Sequence, residues 1–105
     1  GNKKASVYFW KSAEREKTHH LYINGNMEGV IPYLPDSLTG TGNVIVQQQA
    51  FSIALTPGRY TLLISDSNGQ VLSEGSLLLE AGGGHKAANS SWNNSSCHTE
   101  VIFTD

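Results

Sequence analysis

The stretch AFSIALTPGRYTLLIS, residues 50–65, decides the fold class, because two alternating apolar runs flank a Pro-Gly pair. Every second residue in each run is large and apolar, which is the period of a half-buried β-strand. These positions are Phe51, Ile53 and Leu55 in the first run and Tyr60, Leu62 and Ile64 in the second. The stretch therefore predicts two strands of an all-β fold, each with one face in the core.

The connection between the two runs allows two arrangements. If Pro57 and Gly58 form a tight hairpin turn, Leu55 faces Tyr60 and the large apolar residues share one face. However, L-proline followed by glycine suits a type II turn, whose twist splays a two-residue hairpin. In that case the pair is a corner that carries the chain from one sheet to another. The sequence alone leaves both arrangements open.

The same alternation predicts strands on both sides of this stretch. They cover residues 5–11, 19–24, 27–33, 44–49, 70–80 and 97–104, and the fourth either runs on into the first apolar run or breaks before it. About seven strands without a convincing helix predict a two-sheet sandwich of immunoglobulin-like or transthyretin-like type.

Turn and loop residues separate these strands. The sequence NGN at residues 24–26 is typical of a tight hairpin turn, and DSNG at residues 66–69 indicates a second turn. Residues 12–17, 34–43 and 81–96 are predicted loops. The last of these is predicted to be mobile, because its glycine, serine and asparagine residues cannot offset the entropy of ordering.

Length and composition indicate one domain, which covers residues 5–105 and is long enough for a core without metal or disulfide staples. The formal net charge is −2, so no broad positive field attracts nucleic acid, and a nucleic-acid partner is not expected. The one cysteine, Cys97, cannot form an internal disulfide, so packing must hold the fold. No cofactor is predicted.

Residues 1–4 form a polar leader or the remnant of a cloning tag ahead of the domain. The Asn-Lys-Lys sequence is similar to the tether that follows the lipidated cysteine of a bacterial lipoprotein. A frayed terminus of a cytoplasmic protein has the same composition. The only membrane contact expected is therefore through a lipid anchor that has been removed.

Two segments resemble the surface domains called PEGA, and more loosely the transthyretin-like and carboxypeptidase-regulatory-like sandwiches. The first segment is LYING at residues 21–25, followed by Gly29 and Pro32, and the second is LTPGRYTL at residues 55–62. The tetrapeptide that names the PEGA family is absent from this sequence. The resemblance implies a non-catalytic domain on a bacterial envelope protein, in the cell envelope or periplasm, with no catalytic residues to carry over.

The histidines are the basis for an alternative function, that of a small metal-binding protein or enzyme. His19, His20, His85 and His98, with Cys97 and Glu100, include the ligand types for zinc. Adjacent residues on a strand point to opposite faces, so neither His19 with His20 nor Cys97 with His98 can chelate readily. The same geometry separates the Cys97 thiol from the His98 imidazole as a nucleophile and its base, and Cys97 is predicted to be a small core residue. No metal site and no enzyme activity are predicted.

Aromatic side chains are the remaining candidates for ligand contact. Tyr8, Trp10 and Tyr22 lie opposite the predicted core faces of their strands, where exposed aromatic rings can bind a glycan or a protein. The alternative is that these rings have a structural role, because a second layer, a loop or the other sheet covers them. Trp92, in its polar segment, is predicted to act as a lid. The sequence thus predicts a non-enzymatic, envelope-associated interaction domain of unknown ligand, with a carbohydrate-binding module as the alternative.

Overall fold

The computed structural model describes residues 4–14, 16–40 and 44–104. Within these residues the chain forms β-strands and two short helices. The strands are β1 (Lys4–Lys11), β2 (His20–Ile23), β3 (Asn26–Val30), β4 (Phe51–Leu55), β5 (Gly58–Ser65), β6 (Val71–Gly82), β7 (His85–Trp92) and β8 (Cys97–Thr104). The helices are α1 (Asp36–Thr39) and α2 (Val44–Gln49), both between β3 and β4. None of the helices described is long and apolar enough to cross a membrane.

The strands form two antiparallel sheets that pack face to face, which confirms the prediction of an all-β two-sheet sandwich. One sheet has three strands in the order β4-β1-β8, and the other has five in the order β3-β2-β5-β6-β7. The chain therefore crosses between the sheets after β1, β3, β4 and β7. Residues 1–3 of the predicted leader lie outside the described residues, and Lys4 begins β1.

The Pro-Gly pair is a corner between the sheets. β4 pairs with β1, whereas β5 pairs with β2 and β6, so the corner is the one that forms of the two arrangements that the sequence left open. The Tyr60 hydroxyl donates a hydrogen bond to the carbonyl of Thr56 at 2.5 Å. This bond ties the beginning of β5 to the first residue of the corner, as the tyrosine of an immunoglobulin corner does.

The main core lies between the sheets and uses the predicted faces. Val7, Phe9, Leu21 and Ile64 are each 0% exposed, and Leu62 is 2% exposed. Cys97 is also buried against this core, as predicted from its position on β8. The alternation of apolar residues along each strand thus predicted most of the interior correctly.

Two glycines make room in the core for aromatic rings from neighbouring elements. A Cβ on Gly29 would collide with the ring of Phe51, and a Cβ on Gly75 would collide with the Ser91 carbonyl and the indole of Trp92. Gly75 lies directly opposite Trp92 in the β6–β7 register. Gly75 is therefore a site of close approach, at which an aromatic ring covers the glycine.

The segment 44–49 is helix α2, not the predicted strand. Its β-branched residues favour a strand locally, but Val46 is buried against Trp10 and Leu34 in a second apolar cluster. Packing against that cluster overrides the weak local preference. The predicted loop at residues 34–43 likewise contains the one-turn helix α1, while residues 41–43 lie outside the described residues.

The segment 81–96, predicted to be a mobile loop, contains strand β7. Gly83 and Gly84 have φ angles of 58° and 81°, so they form a two-residue turn whose twist suits a hairpin. β7 then pairs with β6 along its whole length, from Gly82–His85 to Gly75–Trp92. Composition failed here because backbone pairing and a single half-buried indole order a strand whose other side chains are mostly small or polar.

Candidate functional site

The outer face of the three-stranded sheet is closed by the segment that carries α1 and α2. Trp10 projects from this face, yet it is only 8% exposed because Leu34 and Val46 pack over it. Tyr8 and Ala50 pack at the border of the same cluster and are half-buried. Two of the four predicted ligand-contact residues, Tyr8 and Trp10, therefore hold a layer of structure in place.

Trp10 also stacks on a histidine. The rings of Trp10 and His98 lie 5.2 Å apart at an angle of 17°, and the two residues are directly opposite each other in the β1–β8 register. Nε2 of His98 is 2.7 Å from the Ser12 hydroxyl, so His98 links the end of β1 to the beginning of β8. The buried indole N–H of Trp10 has no hydrogen-bond partner among the described residues.

Trp92 lies inside the sandwich and does not act as a lid on the other aromatic residues. Its ring meets that of Phe9 edge to face, with centroids 6.5 Å apart and planes at 86°. Its indole N–H donates a hydrogen bond to the Thr99 hydroxyl at 2.8 Å, which satisfies the polar end of a half-buried ring. Trp92 thus anchors the end of β7 against β8.

Tyr22 lies on the outer face of the five-stranded sheet, since its neighbours Leu21 and Ile23 point into the core. The four predicted contact residues therefore occupy three separate places: the outer face of the three-stranded sheet, the core and the outer face of the five-stranded sheet. The structure does not bring them together as one aromatic platform.

The outer face of the five-stranded sheet, named here the open face, carries rows of side chains that cross the strands. In the first row Leu63 lies between Tyr22 on β2 and Glu74 on β6. Two further rows cross from β5 over β6 to β7. They are Thr61, Ser76 and Ser91, and then Arg59, Leu78 and Asn89.

Two shallow clefts adjoin on the open face. One, of about 590 Å³, surrounds the first row and is lined by residues that include Tyr22, Leu63, Val71 and Glu74. The other, of about 380 Å³, covers the two further rows. Both clefts are lined by Thr61, so they adjoin there as the two parts of a depression across the middle of the sheet.

The groups on this surface are suited to holding a ligand. Leu63 and Leu78 are half-buried and Val71 is 49% exposed, which gives an apolar floor. Thr61 is held at the join by Asn24, whose Oδ1 accepts hydrogen bonds from the Thr61 amide at 2.9 Å and the Thr61 hydroxyl at 3.3 Å. Hydroxyl and amide groups around an apolar floor provide contact area and orientation.

The histidines are dispersed. His19 is 3% exposed, and its Nδ1 is 2.7 Å from the carbonyl of Lys17 and its Nε2 3.0 Å from Nζ of Lys11. The lysine ammonium can only donate, so Nε2 accepts and the proton lies on Nδ1. Nε2 of His20 is 3.3 Å from the Ser67 hydroxyl. Over residues 4–14, 16–40 and 44–104, no three His, Cys, Asp or Glu side chains are grouped to hold a metal ion.

Asp66 organises the turn between β5 and β6 at the edge of the open face. Its buried carboxylate accepts hydrogen bonds from the amides of Asn68 and Gln70, each at 2.9 Å, and lies 3.6 Å from Nζ of Lys17. The Gln70 amide is the largest cause of a lowered pKa for Asp66, ahead of the Asn68 amide and the Lys17 charge, and outweighs the opposing effect of burial. The same carboxylate thus fixes the predicted turn at residues 66–69.

Comparison of the chain with protein-family models, curated proteins and solved structures gave no significant match. The candidate site therefore depends on the geometry described above. Sequence reasoning identified Tyr22 but missed Leu63, Leu78 and Thr61. The signal was present, because leucines at 63 and 78 occupy the positions between core residues, where a solvated sheet face usually has polar groups.

Proposed function

We propose that this chain is a non-enzymatic interaction domain whose ligand binds the open face of the five-stranded sheet. The supporting observation is the two-part depression on this face, in which the cleft around Tyr22, Leu63 and Glu74 adjoins a second cleft at Thr61. Apolar groups at the floor contribute contact, and the hydroxyl and amide groups around them set orientation. The ligand itself is not identified by these groups.

The location of the site can be tested without knowing the ligand. Isopropanol is a small amphipathic probe that collects where an apolar floor meets hydrogen-bonding groups. In a ¹⁵N and methyl NMR titration with isopropanol, we expect the largest shift changes at Tyr22, Leu63 and Val71. Largest changes at the cleft near Lys11 and Asn94 would contradict the proposal.

A matched pair of variants sharpens this test. Leu63→Asn removes the apolar floor and should abolish the isopropanol shifts around Tyr22. Val30→Asn serves as the control, because Val30 is 46% exposed on β3 and lines neither cleft of the open face. Equal loss in both variants would show that the shifts do not report the depression.

A carbohydrate ligand is the second candidate, and Tyr22 is the observation that favours it. Its ring borders the larger cleft beside Thr61 and Glu74, and a sugar can stack on such a ring while its hydroxyls bond to polar neighbours. Titration with chitohexaose and with cellohexaose tests this candidate. Binding should be lost in Tyr22→Ala and kept in Tyr33→Ala, because Tyr33 is 39% exposed outside the clefts. Binding of neither sugar, or binding unchanged in Tyr22→Ala, would exclude a glycan of this kind at the site.

We also propose that the domain belongs to a bacterial cell-envelope protein of PEGA-like or transthyretin-like type. The support is the resemblance of residues 21–25 and 55–62, which form the β2–β3 turn region and the corner between β4 and β5. The lipid anchor stays a prediction, and the full-length gene product tests it through the presence of a lipidation cysteine.

A further inference from the structure

Four strands lie at sheet edges in the part of the chain that the structure describes. They are β4 and β8 in the three-stranded sheet, and β3 and β7 in the five-stranded sheet. An edge strand presents unpaired backbone groups to which another strand can add, and proteins usually block such edges. The four edges therefore differ in how far they allow another chain to pair.

Three of the edges carry features that oppose pairing. β3 has an irregular register with β2, and Pro32 follows it closely. β4 is only five residues long, and Pro57 follows it. β7 carries Lys86 on the same side of the strand as Trp92, so a half-buried lysine faces the inner side of the sandwich at that edge. Short length, bulges, proline and inward lysine are the recognised ways of protecting an edge.

β8 has none of these features. Its eight residues pair with β1 without a register shift, and the strand contains no proline and no glycine. The one formal charge on β8 is that of Glu100. After Glu100 the strand continues with three half-buried apolar residues, Val101, Ile102 and Phe103. A long, regular and apolar edge is a site for the addition of another strand.

We propose that β8 pairs with β8 of a second copy of this chain, antiparallel and across a twofold axis, so that the two three-stranded sheets become one. Such an axis, perpendicular to the sheet, keeps inner faces inner, so each residue meets a residue of the same face. The symmetric registers that retain the longest overlap are centred on Glu100 or on Val101. The first places two carboxylates directly opposite each other, which is destabilising.

The register centred on Val101 is self-complementary. Glu100 then lies opposite Ile102 of the second copy, Thr99 lies opposite Phe103, and no like charges are directly opposed. Because the same edge is used by both copies, the contact closes as a dimer and leaves only the protected edges free. This self-complementarity is the reason to expect a second copy at this edge.

The expected assembly is a concentration-dependent dimer, since one pair of strands buries less area than a standard stable interface of about 1,600 Å². Sedimentation velocity from about 10 μM to about 1 mM should show a shift from monomer toward dimer, the range in which weak association is detected. In the wild-type protein, hydrogen exchange of β8 amides should slow with concentration, whereas exchange of β7 amides should not change. A monomer over the whole range would overturn the proposal.

Charge variants at one position separate the proposed register from a general loss of stability. Ile102→Glu places a carboxylate opposite Glu100 of the second copy twice in the dimer, and should weaken association about tenfold. Ile102→Lys places a lysine there instead and should dimerise at least as well as the wild type. Association that is equal in both variants would contradict the register.

Ala54→Glu is the matched control on the opposite edge of the same sheet. Ala54 and Ile102 both lie directly opposite Ser6, from the two sides of β1. Ala54→Glu should leave the dimer unchanged. Loss of the dimer in Ala54→Glu but not in Ile102→Glu would place the contact at β4 and refute the use of β8.

Discussion

The two outer faces of the sandwich begin from similar sequence patterns and end in different structures. Both carry aromatic side chains at positions that alternate with the core: Tyr8 and Trp10 on one sheet, and Tyr22 on the other. On the three-stranded sheet, Leu34 and Val46 cover Trp10 and leave it 8% exposed. On the five-stranded sheet no helix or strand among the described residues packs over the outer face.

The difference shows what alternation along a strand can and cannot establish. Alternation determines which residues share a face, because the period of a strand is two. Whether solvent or a second layer meets the outer face depends on segments elsewhere in the chain, here residues 31–40 and 44–50. Aromatic residues on the closed face stabilise the fold, whereas Tyr22 is half-buried on the open face and borders the proposed ligand site.

Removing one aromatic ring from each face should give the largest contrast. Trp10→Ala should lower the free energy of unfolding by about 3–5 kcal/mol, the range for truncating a buried aromatic residue. Tyr22→Ala should lower it by less, about 1–2 kcal/mol, because Tyr22 is only half-buried. Urea unfolding of both variants measures the difference. Equal losses would mean that the two faces are equally covered.

A methyl group at Gly75 tests whether Trp92 belongs to the core and not to the open face. Gly75→Ala forces its Cβ against the Ser91 carbonyl and the Trp92 indole, and should cost about 1–3 kcal/mol of stability, as overpacking does. Gly82→Ala is the control, since a Cβ there meets nothing within 4 Å. Thermal unfolding compares the two variants. A harmless Gly75→Ala would indicate that Trp92 does not occupy the interior.

Acid should weaken the sandwich partly through the Asp66 turn beside the open face. The pKa of Asp66 is lowered in the folded protein, mainly by the Gln70 amide. Its contribution to stability is therefore present above the unfolded pKa of about 3.9 and is lost as pH falls through the folded pKa. Asp66→Asn should lose less stability than the wild type between pH 5 and pH 2 in urea unfolding.

The groups that lower the pKa of Asp66 differ in the size of their effect, and this difference provides a control. Lys17→Ala should retain most of the acid dependence, because backbone amides lower the pKa of Asp66 more than the Lys17 charge does. If Lys17→Ala abolished the dependence, the ion pair and not the turn would be responsible.

Glu100 on the closed face should change stability with pH in the opposite direction to Asp66, and its replacement should have the smallest effect on stability. Desolvation raises its pKa, so the cost of the ionised form is absent at low pH and grows as pH rises through the folded pKa. Glu100→Gln should therefore raise the melting temperature slightly at pH 7 and leave it unchanged near pH 3. A variant that is less stable at pH 7 would show that the carboxylate is stabilising there.

The sequence predicted the sandwich and its main core because those features depend on local periodicity. Leu62 and Ile64 were placed in the core correctly, as was the turn at residues 24–26. The choice between hairpin and corner at Pro57 and Gly58 needed the positions of other strands. Hydrogen bonds between distant segments decide such a choice, and no local pattern contains them.

The errors at residues 44–49 and 81–96 have a common physical cause. In each segment one apolar side chain, Val46 or Trp92, finds a partner far away in sequence. That contact selected a helix in the first segment and a strand in the second, against local composition. The candidate site was likewise found only in part, since Tyr22 was predicted while the depression around Leu63 and Thr61 needed the register of three strands.

One outer face of the sandwich is closed by the segment that carries α1 and α2, and the other is covered by no helix or strand among the described residues. Paramagnetic relaxation by a soluble gadolinium chelate measures this directly, because it broadens NMR signals according to their distance from solvent. We predict strong broadening of the Leu63 and Val71 methyl signals and weak broadening of the Trp10 indole signal. A Trp10 indole that is broadened as strongly as the Leu63 methyls would contradict the account.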